Sequence, residues 1–276
     1  MVNLGSLWAS ILIGFALSFI VATVAFRRAY LSFSGALAAV LVGTVTFGLG
    51  GPSFAVILVA FFVSSSLLSH LQIDRKRKVA QELAQGPRRD VWQVMANGGL
   101  AVLLAALFYW NPSHWVSWAF VGSLAAVTAD TWATEIGTLS GTKPRLITTG
   151  RPVSPGTSGA VSALGAVAAF LGSLFTGLVA SITLAMMAPS GPPPWMMLGV
   201  VVAGMAGSLA DSILGATAQV AYVCENCETS TESATHRCGS RTTHVRGLYW
   251  VNNDVVNLLC SVVGATVAGS MAIWLA

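Results

Sequence analysis

Hydrophobic positions along this chain come in long, uninterrupted blocks, without the three-to-four spacing of an amphipathic helix or the alternation of a half-buried strand. A helix needs about 20 apolar residues to cross a hydrocarbon core of about 30 Å. On that basis the pattern predicts eight membrane-spanning helices, at roughly 5–26, 31–49, 52–71, 92–110, 114–137, 159–187, 195–221 and 254–275. These spans nearly exhaust the chain, so the expected organisation is one all-α polytopic membrane domain over residues 1–276. A Cys/His-containing loop, 222–250, is inserted between the last two helices. A membrane β-barrel would instead show short alternating segments. The first span has no basic region before it, and Arg27-Arg28 follows where a signal peptide would carry small residues for cleavage, so it is expected to be retained as a helix.

Composition agrees: 55% of the 276 residues are hydrophobic and only 9% are charged, far from the balance of a soluble domain. The positions of the basic residues add orientation. Arg27 and Arg28, the run from Arg75 to Arg89, Lys143 with Arg145 and Arg151, and Arg237 with Arg241 and Arg246 occupy every second loop. By the positive-inside rule those loops are cytoplasmic, both termini are outside, and the working face is the cytoplasmic side of a bacterial or archaeal cell membrane. Arg27, Arg28 and most of the 75–89 run are read as topology signals. Nucleic acid is not an expected partner, because the basic residues lack interleaved aromatics and a soluble module to carry them.

Carboxylates inside spans change the picture most, since each costs at least a few kcal/mol near the bilayer centre and so tends to mark a relay or a ligand site. Asp130 and Glu135 fall in the fifth span, Asp211 in the seventh, and Asp254 opens the eighth. Asp130 and Asp211 lie in similar Ala-Asp-Thr and Ala-Asp-Ser settings on helices that run the same way, which predicts similar depth. No basic residue lies within either helix, and a divalent cation, Mg²⁺ above all, would offset the charge. Glu135 is five residues from Asp130, about 140° around an ideal helix. Either the helix unwinds near Gly137 or the two carboxylates have different partners. Asn252-Asn253-Asp254 before an apolar run also reads as a helix cap. Asn97 and Asn257 are amides at membrane depth that need partners at both ends.

Two loops carry further chemistry. Residues 141–159 combine Lys143, Arg145 and Arg151 with Thr148, Thr149, Gly156 and Thr157, just before a helix. Such a loop can cradle a polyphosphate through backbone N–H groups, a helix N-terminus and cations. Its spacing is not that of a Walker A loop. In the last loop, Cys224-x-x-Cys227 followed by His236-x-Cys238 has the spacing of a closed, structural zinc site, with His244 nearby. Cys260 reads as a small core residue.

Several strings together carry a resemblance: Asp130-Thr131-Trp132-Ala133-Thr134-Glu135-Ile136-Gly137, Pro144-Arg145-Leu146-Ile147-Thr148, Pro155-Gly156-Thr157-Ser158-Gly159, Gly207-Ser208-Leu209-Ala210-Asp211-Ser212 and Asn252-Asn253-Asp254-x-x-Asn257. They resemble an integral membrane family that includes phytyl-phosphate kinase, over essentially the whole chain. The resemblance implies transfer of the γ-phosphate of CTP to an isoprenyl (phytyl, geranylgeranyl or polyprenyl) monophosphate, giving the diphosphate. It implies Mg²⁺ at Asp130, Asp211 and Glu135, catalytic assistance from Lys143, and nucleotide contacts from Asn97, Lys143, Arg145, Thr148, Thr149, Gly156, Thr157, Asn253, Asp254 and Asn257. The expected partners are the nucleotide, the lipid monophosphate, the membrane and a second copy of the chain. The rival expectation is a transporter of ions or lipid phosphates that uses the intramembrane carboxylates.

Overall fold

The computed structural model describes residues 4–71, 88–186, 193, 195–227, 230–231, 234–235 and 238–275. Among them are seven helices: α1 (Leu4–Arg27), α2 (Phe33–His70), α3 (Val91–Trp110), α4 (His114–Gly137), α5 (Ala163–Ala185), α6 (Trp195–Thr217) and α7 (Asn253–Leu275). All but α4 are long and apolar enough to cross a membrane. The basic run at 75–78 lies outside the described residues.

The second and third predicted spans are two arms of one element, α2. A straight 38-residue helix would be about 57 Å long. Instead His70 returns to the start of the element, its Nε2 3.3 Å from the Ala29 carbonyl and its ring 4.2 Å from that of Tyr30. The reversal is at Gly51, whose φ of 78° and ψ of −176° no helix interior allows and which glycine adopts without steric cost. Pro52 follows, its fixed φ suited to opening the second arm.

α4 is the central helix. Every residue from Trp118 to Ala129 is buried, so the least hydrophobic of the seven helices is the one most enclosed by protein. Its neighbours α5, α6 and α7 turn Gly, Ala and Ser toward it, the small residues that let helices approach closely in a bilayer. They leave Phe170, Leu198 and Ile273 exposed, as α1 leaves Leu12, Phe15 and Phe19, in the manner of lipid-facing surface.

The seventh predicted span ends early, at Thr217, because the chain turns at Ala218–Val220 into β-structure. The all-α expectation therefore gains two small sheets. In the loop after α4, β1 (Arg145–Leu146) pairs antiparallel with β2 (Ala160–Val161). In the Cys/His loop, β3 (Ala221–Cys224) pairs antiparallel with both β4 (Ser230–Thr231) and β5 (Thr242–Arg246).

Candidate active site

Close approach of α4 and α6 builds the centre of the site. A Cβ at Gly199 would meet Trp118, one at Gly204 the Ala125 carbonyl, and one at Gly207 the Ala126 Cβ, so the helices run parallel and nearly in register. One turn beyond the Gly207–Ala126 contact, Asp130 and Asp211 stand side by side, within hydrogen-bonding reach of each other. Both are half-buried. Two carboxylates this close need either a shared proton or a cation between them. Two oxygen-rich side chains with room for water and phosphate oxygens fit a hard ion such as Mg²⁺. Buried Cys260 of α7 adjoins both carboxylates, a position its sequence context did not suggest.

Glu135 is held elsewhere. Ser69 of α2 donates a 2.7 Å hydrogen bond to its Oε1, and the Arg89 guanidinium reaches Ser69 Oγ at 3.4 Å and faces the same carboxylate. α4 stays helical through Gly137, so the different-partners alternative describes the structure. Among the described residues Asp130, Asp211 and Glu135 do not gather as a three-ligand cluster. Arg89 was read from sequence as topology. In the structure burial pulls its pKa down while Glu135 pushes it back up.

The 141–159 loop is a small hairpin between the end of α4 and the start of α5, packed on the C-terminal end of α6. Its Gly159 packs directly on Ala216 of α6. Arg145 Nη1 donates to the Gly150 carbonyl at 2.8 Å, Thr149 Oγ1 accepts from Arg151 N, and Thr157 Oγ1 donates to the Ser154 carbonyl. Arg145 and Thr157 thus help shape the turn. Lys143, Thr148 and Thr149 are exposed, and Gly156, at φ 86°, lies in the turn. At the α5 N-terminus Ser162 Oγ accepts from Gly165 N at 3.0 Å, which satisfies one of the free N–H groups there.

At the start of α7 the cap is Asn252, whose Oδ1 accepts from Val255 N at 3.0 Å. Asp254 lies in the first turn and faces Asp90, the residue that caps α3. Asn253 and Asn257 are half-buried on the same helix. Asn97 donates to the Gln93 carbonyl within its own helix and lines an apolar cavity.

The Cys/His loop folds around its thiols. Cys224 ends β3, Cys227 follows in the turn and Cys238 precedes β5, with the three sulfurs within 4.8 Å of one another. Cys224 and Cys238 are 3.6 Å apart. Tetrahedral ligands with Zn–S of about 2.3 Å would be about 3.8 Å apart, so the thiols fit zinc. Hydrogen bonding to Cys238, with smaller effects of burial and Cys224, pushes the Cys227 thiol up to about 11. His236 lies outside the described residues. His244 is not part of the cluster: its Nε2 is 3.1 Å from the Gly247 carbonyl and its ring stacks on Tyr249. At the far end of β5, Arg246 donates to the Ala216 and Gly215 carbonyls at 2.8 and 2.9 Å. It so caps the C-terminus of the helix that carries Asp211, with its charge toward the negative end of the dipole.

Residues 16–265 match the model of the family described as integral membrane protein DUF92. Protein PGR of Arabidopsis thaliana is 34% identical over 227 residues, 75% of this chain and 78% of that protein. An uncharacterized membrane protein of Methanocaldococcus jannaschii is 33% identical over 185 residues, 66% of this chain and 72% of its own. Protein VTE6, chloroplastic, of Arabidopsis thaliana is 27% identical over 243 residues, 86% of this chain and 64% of its own. No solved structure matches the chain.

Proposed function

The chain belongs to the integral membrane DUF92 family, and from that premise we propose that it is a CTP-dependent kinase that converts an isoprenyl monophosphate to the diphosphate at the cytoplasmic face of the membrane. The observation that carries this reading is the Asp130–Asp211 pair, two adjoining carboxylates on parallel helices with no basic residue in either. Asp130 and Asp211 would hold a Mg²⁺ ion, which would supply the charge neutralisation that phosphoryl transfer depends on.

The protein's own residues do the rest. Lys143, exposed on the hairpin, and the remaining donors of Arg145 neutralise charge on the nucleotide phosphates, with Thr148, Thr149, Gly156 and Thr157 lining the approach. Asn253, Asp254 and Asn257 contribute from the opening turns of α7. The acceptor is already a phosphate oxyanion, so its oxygen attacks the γ-phosphorus, the bond to the β-phosphate oxygen breaks, and CDP leaves. No strong general base is needed. Glu135, tied to Ser69 and Arg89, serves as a positioning residue.

Zinc at Cys224, Cys227 and Cys238 completes the proposal. It would brace the sheet that carries Arg246 onto the end of α6, and so would act on stability and not on the chemical step.

Purified protein in detergent, given labelled CTP or ATP with phytyl, geranylgeranyl and polyprenyl monophosphates, should form the diphosphate with CTP in a magnesium-dependent way. A lack of product with every nucleotide and acceptor, together with uptake of ions or lipid phosphates into proteoliposomes, would replace the kinase reading with transport.

A further inference from the structure

A cavity of about 350 Å³ opens between α1, both arms of α2 and the first turns of α3. That size falls in the usual range for small-molecule sites, about 300–1,000 Å³. Its walls are hydrocarbon, among them Leu17, Val21, Val42, Ala55, Val59 and Phe62. Its polar lining is Ser18 on α1, Arg89 and Gln93 at the end from which α3 starts, and Asn97 about 6 Å of helix rise further in. The wall of the second α2 arm runs from Pro52 to Phe62, about 15 Å at the helical rise. The cavity is therefore longer than it is wide and has chemically different ends.

The polar end is built to face an anion. Backbone bonds from Arg89 N to the Tyr30 carbonyl and from Ser32 N to the Arg89 carbonyl pin this residue at the mouth. Gln93 Oε1 accepts from Asp90 N in the capping box of α3, which leaves the Gln93 amide N–H groups as donors. The guanidinium and the amide stand beside the α3 N-terminus, whose dipole Asp90 already caps. Through Ser69 the same guanidinium is linked to Glu135, about 7.5 Å of helix rise beyond Asp130. The Arg89 end of the cavity and the carboxylate pair therefore lie toward the same end of α4.

We propose that this cavity seats the hydrocarbon chain of the lipid acceptor, with its phosphate at Arg89 and Gln93. The proposal rests on the kinase reading for the identity of the acceptor, a single-chain isoprenyl monophosphate. At roughly 30 Å³ per methylene-sized group, the cavity takes about a dozen carbons. That suits the head-proximal part of one chain and not the two chains of a bilayer phospholipid. The remainder extends between the helices into the membrane, so acceptors longer than this bind with similar affinity.

The test is photolabelling of the full-length protein in nanodiscs, without nucleotide, using a geranyl monophosphate that carries a diazirine at its far end. Adducts are expected within residues 14–22 and 39–62, suppressed by geranylgeranyl monophosphate but not by geranylgeraniol or phosphatidylglycerol. Ala55→Trp, or Val59→Trp should the first fail to fold, should abolish these adducts. Arg89→Gln should weaken competition by the monophosphate at least about tenfold, as expected for loss of a charge-assisted contact. Adducts on α5 or α7, or adducts at the cavity that phosphatidylglycerol suppresses equally well, would overturn the assignment. Because labelling needs no turnover, labelling here by a protein that forms no diphosphate would refute the kinase and leave the lipid seat standing. Turnover with labelling elsewhere would do the reverse.

Discussion

Gly207 sets the distance between the two helices that carry the carboxylates, so Gly207→Ala tests the site without touching either acid. The new Cβ would stand 2.3 Å from the Ala126 Cβ and 2.9 Å from the Cys260 carbonyl. Carbon atoms in contact prefer about 3.5–4.0 Å, so α4 and α6 must part locally by about 1.2 Å or more. Overpacking of this kind costs about 1–3 kcal/mol, which should leave the protein folded but with a lower Tm. Asp130 and Asp211 ride on those helices one turn away. Mg²⁺ accepts oxygen ligands only near 2.0–2.1 Å, and a displacement of about 1 Å at a reacting centre can cost about 100-fold in rate. The assay is magnesium-dependent turnover of CTP with geranylgeranyl monophosphate in detergent, with thermal unfolding in parallel. The variant should need more magnesium and turn over about 100-fold more slowly. Adding Ala126→Gly removes the closer clash but not the one with Cys260, so it should restore activity only in part. A folded Gly207→Ala protein whose kcat and magnesium dependence match the parent's would show that the spacing of these helices does not control the reaction.

Asp130→Asn and Asp211→Asn keep the shape and remove the charge that would hold the metal; each should lower kcat by several orders of magnitude while thermal stability holds or rises, checked by the same two measurements. Lys143→Ala should raise the KM for CTP and lower kcat while the magnesium dependence persists, because in the proposed site the lysine would meet the phosphates and the carboxylates the ion. Cys227→Ser should lose about one equivalent of zinc by elemental analysis and lower the Tm, with residual turnover, and zinc affinity should fall as pH falls because protons compete for the thiols. Single cysteines placed in 138–158 of a cysteine-free background should label only from the cytoplasmic side; labelling from outside would move the hairpin away from the nucleotide.

Much of this was written in the amino-acid sequence because the bilayer imposes it. A lipid-exposed backbone must satisfy its own hydrogen bonds, so long apolar runs become helices, and the predicted 92–110 and 254–275 spans nearly coincide with α3 and α7. The cost of burying charge likewise makes Asp130 and Asp211 conspicuous in any reading of the chain. The alternation of basic loops implies that their helices run the same way and so place the two acids at similar depth. Which side chains meet was another matter. Arg89 belongs to a basic run that topology alone accounts for, and only the fold-back of α2 at Gly51 brings Ser69 to Glu135 and Arg89. The family resemblance implies Glu135 as a third metal ligand, yet the angular step along α4 turns it toward α2. The hairpin at 145–161 and the three-stranded sheet around the cysteines are too short to leave a hydrophobic period. Arg246 reads as one more loop charge until that sheet lays it on the last carbonyls of α6. Local chemistry and membrane solvation fix what each segment is, whereas contacts between residues far apart in the chain depend on helix rotation and spacing, which arise only when the helices pack.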